Sequence, residues 1–278
     1  MAATALNEAK RKTNKPQNFS VRGVPIIVYQ MGKVGSSTIL GGLRKRKLDR
    51  SVHHIHVLSD DKINQSIEAI SGSGRRFPEQ LQHSKEIRGY LDRTQDSPID
   101  VITAVREPVS QLMSSLFQNI HEQQPHLIDD DGQWLEMEIE QFVRERIEGY
   151  SPQREWNCNW FDVDFCPALG IDVYESSFDQ ANGFATIEKD DCRILMLQLE
   201  NSDEWASRIT QFLGLESPLE LVNLNVATGK DYKATYQAIK KRIKFPIALL
   251  DKIYGTTFCQ HFYSPEMISE FKQRWCCE

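Results

Sequence analysis

Ile26-Ile27-Val28-Tyr29-Gln30-Met31-Gly32-Lys33-Val34-Gly35-Ser36-Ser37-Thr38 is the stretch that decides the fold class. Its apolar run ends at Met31, a short loop carries Gly32, Lys33 and Gly35, and three hydroxyl residues open a helix-like segment. A buried strand feeding a glycine loop and a helix N-terminus is how α/β proteins hold a phosphate. The first N–H groups of the helix lack intrahelical partners, and the positive end of the helix dipole faces the anion. Lys33 adds a cation, and Ser36, Ser37 and Thr38 add donors. The loop is not a Walker A motif, which would place glycine at Ile27 and a hydroxyl at Val34. The Gly-x-Gly-x-x-Gly dinucleotide pattern is also absent here.

Working outward, residues 24–29 read as a strand buried on both faces. A helix is expected over 36–47, with Gly41 and Gly42 predicting close packing against the sheet. Residues 51–58 alternate, with Val52, His54, His56 and Leu58 on one face. Residues 60–95 have helical periodicity, broken near 71–74 and at Pro78. Further strands are predicted at 101–105, 171–174 and 193–199. Helices are predicted at 108–123, 133–148, 232–243, 246–254 and 265–275, and one capped by Ser202 ends at Gly214. Residues 150–168 read as irregular. Strands alternating with helices predict an α/β fold whose mostly parallel sheet is flanked by helices joined by right-handed crossovers. Residues 21–278 are expected to form one such domain behind a flexible tail at 1–20, which is polar and basic and lacks an apolar signal core.

The 278 residues are 40% hydrophobic and 26% charged. Such a balance is that of globular proteins with a sizeable core. The net charge of -6 argues against general nucleic-acid binding. Basic residues still cluster, at Arg44, Lys45, Arg46, Lys47 and Arg50, and again at Lys230, Lys233, Lys240, Lys241, Arg242 and Lys244. Each cluster also reads as a solvated helix face or a helix C-terminus; the second is the better anion-site candidate, because it lies in a polar, loop-like approach to a helix. The six cysteines form no Cys-x-x-Cys pair and no zinc-finger spacing, so free thiols in a reducing cytoplasm are expected, with no metal. No run is long and apolar enough to span a bilayer.

A second strand-end element is Val101-Ile102-Thr103-Ala104-Val105-Arg106-Glu107-Pro108, followed in its helix by Ser114. The strand delivers Arg106 to its C-terminal end, the edge where ligands bind in open α/β sheets. Taken together, Lys33, Gly35, Ser36 and Ser37 with Arg106, Pro108 and Ser114 resemble the two cofactor signatures of sulfotransferases that use 3′-phosphoadenylyl sulfate (PAPS). The segment Leu197-Gln198-Leu199-Glu200, with a helix ending Phe212-Leu213-Gly214-Leu215, also resembles one recurring in that family, but Gln198 replaces its usual arginine. Asn159-Trp160-Phe161-Asp162 and His261-Phe262-Tyr263-Ser264 resemble segments of the bacterial capsular polysaccharide synthesis family.

The resemblance implies a P-loop-like sulfotransferase fold and transfer from PAPS to a hydroxyl of a saccharide or small metabolite, leaving PAP. It implies that Lys33 and the Val34, Gly35, Ser36, Ser37 and Thr38 loop grip the 5′-phosphosulfate, and that Arg106 and Ser114 grip the 3′-phosphate. Lys230 and Lys233 would close over the nucleotide. Fixed cations and N–H donors aimed at the leaving oxygen would supply the main catalysis, with Lys33 foremost. An alcohol acceptor needs a base, and His53, His54 and His56 stand on one predicted strand. His56, nearer the strand's C-terminal end, is favoured over His54; Glu107, Asp60 and Asp61 are weaker choices. Trp156, Trp160, Phe161 and Tyr174 offer either a stacking surface for the acceptor or plain core. Two alternatives stand beside this reading: a P-loop kinase, and a sulfotransferase-like binding protein without catalysis.

Overall fold

The computed structural model describes residues 22–71, 77–93, 97–118, 120–129, 131–151, 156–221 and 232–277. The expected tail at 1–20 and Lys230 therefore lie outside the described residues. The strands are β1 (Ile26–Tyr29), β2 (Val52–Ile55), β3 (Ile99–Val105), β4 (Phe184–Lys189) and β5 (Cys192–Gln198). The helices are α1 (Ser36–Arg46), α2 (Asp60–Ser71), α3 (Glu79–Leu91), α4 (Pro108–Gln118), α5 (Ile120–Gln123), α6 (Glu136–Glu148), α7 (Trp156–Trp160), α8 (Cys166–Leu169), α9 (Trp205–Leu213), α10 (Lys233–Arg242), α11 (Ile247–Tyr254), α12 (Thr257–Phe262) and α13 (Pro265–Trp275).

The five strands form one sheet in the order β2-β1-β3-β5-β4. All neighbouring pairs are parallel except β4–β5. The fold is thus α/β with a mostly parallel sheet and flanking helices. Every residue of β1 and β3 is buried, as strands covered on both faces must be. β1 is flanked by β2 on one side and β3 on the other, so the chain leaves it in opposite directions. The C-terminal end of β1 is therefore a topological switch point, the place where open α/β sheets form their binding crevice.

The opposite edge of the sheet is closed structurally. Buried Asp100 takes Arg193 Nε and Nη2 at 2.7 and 2.8 Å and also bonds Arg50, which lines a cleft there with Val24.

Several elements differ from the sequence reading. Residues 156–169 are not irregular: α7, a π-helical turn at Phe161–Phe165 and α8 run on from one another. Tertiary contacts decide this segment. Trp160, Phe161 and Phe165 are each at most 1% exposed, and Asp164 is fully buried. The Asp164 carboxylate accepts from Tyr29 Oη (2.6 Å), Ser59 Oγ (2.6 Å) and Ser59 N (3.0 Å), so it joins β1 to the start of α2. The expected strand at 171–174 is a short 3-10 turn, Val173–Glu175. It opens with Asp172 accepting the Tyr174 N–H, a local side-chain bond that competes with strand pairing. β4 and α12 were not anticipated. Ser202 does not cap α9; it lies within a 3-10 stretch, Leu199–Glu204. Gly42 packs closely, but against a loop rather than the sheet: an added Cβ would stand 2.7 Å from Leu221 Cδ2.

The basic group at 44–50 lies at and beyond the C-terminal turn of α1, where cations suit the helix dipole. Arg44 pairs with Glu79 at 3.6 Å, and Lys45 pairs with Glu220. The six cysteines form no disulfide. No helix among the described residues is long and apolar enough to cross a membrane.

Candidate functional site

The site is built at the C-terminal ends of β1, β2 and β3. The chain leaves β1 through Gln30 and Met31, turns through Gly32–Gly35 and enters α1 at Ser36. Lys33 and Gly35 both adopt left-handed backbone angles, φ 69° and 96°. Gly35 must be glycine for a second reason. An added Cβ would lie 2.6 Å from the Trp205 indole, on which the loop rests. Trp205 is itself fixed, donating its indole N–H to Gln198 O at 3.0 Å, the last residue of β5.

Two side chains hold the loop's carbonyls. Arg106 Nη1, just past the end of β3, donates to Lys33 O at 3.0 Å. Gln111 Nε2, on α4, donates to Gly32 O at 2.7 Å. In a trans peptide the N–H points opposite to the C=O. With both carbonyls held toward α4, the N–H groups of Lys33 and Val34 are turned the other way. They join the first N–H groups of α1, whose start has no side-chain cap and no acidic residue in its first turn. The half-buried hydroxyl residues Ser36, Ser37 and Thr38 line that turn. Two left-handed residues around a run of N–H donors give the kind of concavity that could hold an anion. Beneath it, Gln30 is fully buried, and neither end of its amide has a hydrogen-bond partner among the described residues.

More positive charge converges from the C-terminal half. Tyr236 on α10 stands beside Arg106: burial raises its hydroxyl pKa, and the Arg106 charge offsets part of that rise. Lys240, one turn further along α10, is held below the ordinary lysine value by burial and then by the charges of Arg106 and Arg274. A buried lysine held down by neighbouring cations marks a place that an anion would relieve. Lys240 belonged to the basic cluster read from the sequence but was not singled out, and Tyr236 and Gln111 were missed. Arg106 was legible from its position just past a buried strand, whereas Gln111, within α4, carried no such signal. Ser114 lies half-buried on α4, two turns into the helix, and Lys233 opens α10; no described hydrogen bond joins either to Arg106.

The histidine strand behaves as its alternation predicts. His54 and His56 share a face, their rings 4.6 Å apart, while His53 points to the other. His56 Nδ1 lies 2.7 Å from Gln30 O. The carbonyl requires a proton on Nδ1, which leaves the Nε2 lone pair as the basic atom. Burial lowers His56 below the usual histidine value, and the Gln30 carbonyl partly offsets this. His54 is pushed down to about 3, by burial first and then by His56, His83 and Arg44, and its Nε2 is buried with no partner among the described residues. His54 is therefore the poorer base.

Glu107, a weaker base candidate, is fully engaged. It is 1% exposed, and its carboxylate accepts from Val109 N (2.7 Å), Ser110 N (2.8 Å), Tyr254 Oη (2.6 Å) and Trp275 Nε1 (3.3 Å). It caps α4 and anchors the C-terminal helices. Asp60 and Asp61 lie in the first turn of α2. Trp160 and Phe161 are core, packed with Phe165, and offer no stacking surface; Tyr174 is half-buried, and the Trp156 side chain lies outside the described set. Gln198 is fully buried and donates to Phe262 O at 2.9 Å, a packing role.

Residues 153–264 match the profile of a family described as "Putative capsular polysaccharide synthesis protein". The match contains the segments at 159–162 and 261–264 on which that resemblance rested, together with Asp164, Gln198, Trp205, Tyr236 and Lys240. β1, β2, β3 and both strand-end elements lie outside it. No curated protein and no solved structure matches the chain.

Proposed function

We propose that this chain is a PAPS-dependent sulfotransferase of polysaccharide synthesis, moving a sulfuryl group to a saccharide hydroxyl. The observation that carries the reading is the bond from Arg106 to Lys33 O. It unites the two strand-end elements, far apart in sequence, into one cationic crevice at the switch point of the sheet. The family match at 153–264 supports a saccharide acceptor.

The donor set suits a molecule with two anionic ends. The Lys33–Gly35 loop and the start of α1 would hold the phosphosulfate, while Arg106, with Lys240 and Tyr236 near it, would hold the 3′-phosphate. When bound, PAPS supplies an activated sulfuryl group whose transfer leaves charge on a phosphate oxygen. Preorganised N–H groups and Lys33 stabilise such charge without reorganising. His56 Nε2 takes the proton of the acceptor hydroxyl.

Thermal unfolding distinguishes this reading from its rivals. PAP at a hundred times its Kd stabilises the native state by about 2.7 kcal/mol, a rise of about 5–10 °C in Tm for a chain of this size. Stabilisation by ATP with magnesium and none by PAP would overturn it.

His56→Ala is expected to slow transfer by about 10²- to 10⁴-fold. The pH profile carries further information. Burial lowers the folded pKa of His56. A base whose folded pKa lies below about 6.5 stays neutral into mildly acidic solution, so kcat should hold there and fall only as pH drops through that lowered value. The variant should lose this acid limb. A variant with the wild-type rate and limb removes His56 from the chemistry.

A further inference from the structure

On the opposite face of β2, away from the anion crevice, three ligand-type side chains meet. His53, His83 and Glu86 each place one donor atom within 4.8 Å of the other two. Alternation along β2 turns His53 toward α3. There its ring meets that of His83, with the centroids 5.3 Å apart. His83 and Glu86 are three residues apart on α3 and share its face.

Ordinary packing does not account for the polar atoms. His53 is 1% exposed, and neither of its ring nitrogens has a hydrogen-bond partner among the described residues. Burying a polar group without a partner costs free energy, so such groups are rare unless something else satisfies them. Glu86 Oε1 accepts from Gln82 Nε2 at 3.2 Å, while its Oε2 is buried with no described hydrogen-bond partner. His83 Nδ1 lies 3.3 Å from both the N–H and the carbonyl of His54. A proton on Nδ1, donated to that carbonyl, leaves the Nε2 lone pair to the cluster, the orientation typical of ligating histidines. Glu79 Oε1, one turn earlier on α3, lies 3.8 Å from His83 Nε2, is exposed to solvent and also pairs with Arg44, so it marks an entry side and could swing in as a fourth ligand.

We propose that His53, His83 and Glu86 bind a divalent first-row transition ion, zinc fitting best, in a structural site that pins β2 to α3. Two imidazoles and a carboxylate are a zinc donor set, and the buried setting matches a closed site rather than a catalytic one. Zinc–nitrogen bonds of about 2.0–2.1 Å set tetrahedral ligands roughly 3.4 Å apart. The side chains would draw together by about an ångström on loading. Such a site would exist whether or not the crevice transfers sulfate.

The test uses the full chain, stripped with a chelator and titrated with Co²⁺ and then Zn²⁺. One equivalent of Co²⁺ should bind with the visible spectrum of a tetrahedral ion, Zn²⁺ should displace it, and Zn²⁺ should raise Tm. His53→Phe and Glu86→Gln should each weaken binding by at least about tenfold. A Cys276→Ser, Cys277→Ser chain should bind as the parent does. If His53→Phe fails to fold, Glu86→Gln decides, because it keeps the shape and removes only the charge. Absence of a saturable equivalent in the parent, or unchanged affinity in Glu86→Gln, overturns the site.

Discussion

Lys33→Ala is expected to lower sulfuryl transfer by about a hundred- to a thousandfold, the loss typical of removing one preorganised donor from developing charge, or about 2.7–4 kcal/mol. The deficit should fall on kcat more than on KM, because in the proposed transfer the interaction would strengthen as the leaving oxygen gains charge. Lys33 also occupies a left-handed conformation, φ 69°. Alanine tolerates that conformation poorly. Slow turnover in Lys33→Ala alone would therefore mix two causes. Lys33→Gly separates them. Glycine adopts this conformation without penalty, so the variant should be as stable as the parent and as slow as Lys33→Ala. Wild-type turnover in either variant would remove the ammonium from the chemistry. A Lys33→Gly chain much faster than Lys33→Ala would assign the defect to the backbone.

Glu107→Leu should be among the most destabilising single changes in the molecule. The carboxylate is buried and accepts four hydrogen bonds: two from the first turn of α4, one from Tyr254 and one from Trp275. Leucine fills the volume but leaves four buried donors unmet, at about 1–3 kcal/mol for each that cannot reach water. Allowing for relaxation, a total loss of at least about 4 kcal/mol is expected, a large share of the roughly 5–15 kcal/mol that holds a native domain. Glu107→Gln keeps one acceptor oxygen and should lose about half as much. Denaturant unfolding reads both values. A Glu107→Leu chain within about 1 kcal/mol of the parent would show that the four donors find other partners.

Much of this architecture was legible in the residues, and the reasons are physical. β1, β3 and the last five residues of β5 are short, mostly apolar runs buried on both faces, a pattern set by the chain itself. The histidine alternation on β2 likewise follows from strand geometry. The segment at 156–169 was not legible, because its helical form depends on distant partners: Tyr29 and Ser59 for Asp164, and the aromatic core for Trp160 and Phe161. β4 is an edge strand in which only Ala185 and Ile187 are buried, too few to stand out from a polar stretch. At the site, Lys33 and Arg106 announced themselves by following buried strands. Gln111, Tyr236 and Lys240 did not, because what brings them to the loop is helix packing rather than local pattern. The His53, His83 and Glu86 cluster was half-visible as a histidine and a glutamate one helical turn apart, but its third member comes from another element.

Trp275 donates to Glu107 across 168 residues of chain. During synthesis at about 5–20 residues per second, the end of β3 therefore waits on the order of 10–30 s for its last anchor. A nascent chain that already holds Lys33 and Arg106 still lacks both Tyr254 and Trp275 at Glu107. The crevice thus matures late, after α13 has left the ribosome, because until then the Glu107 carboxylate at the start of α4 lacks two of its four donors.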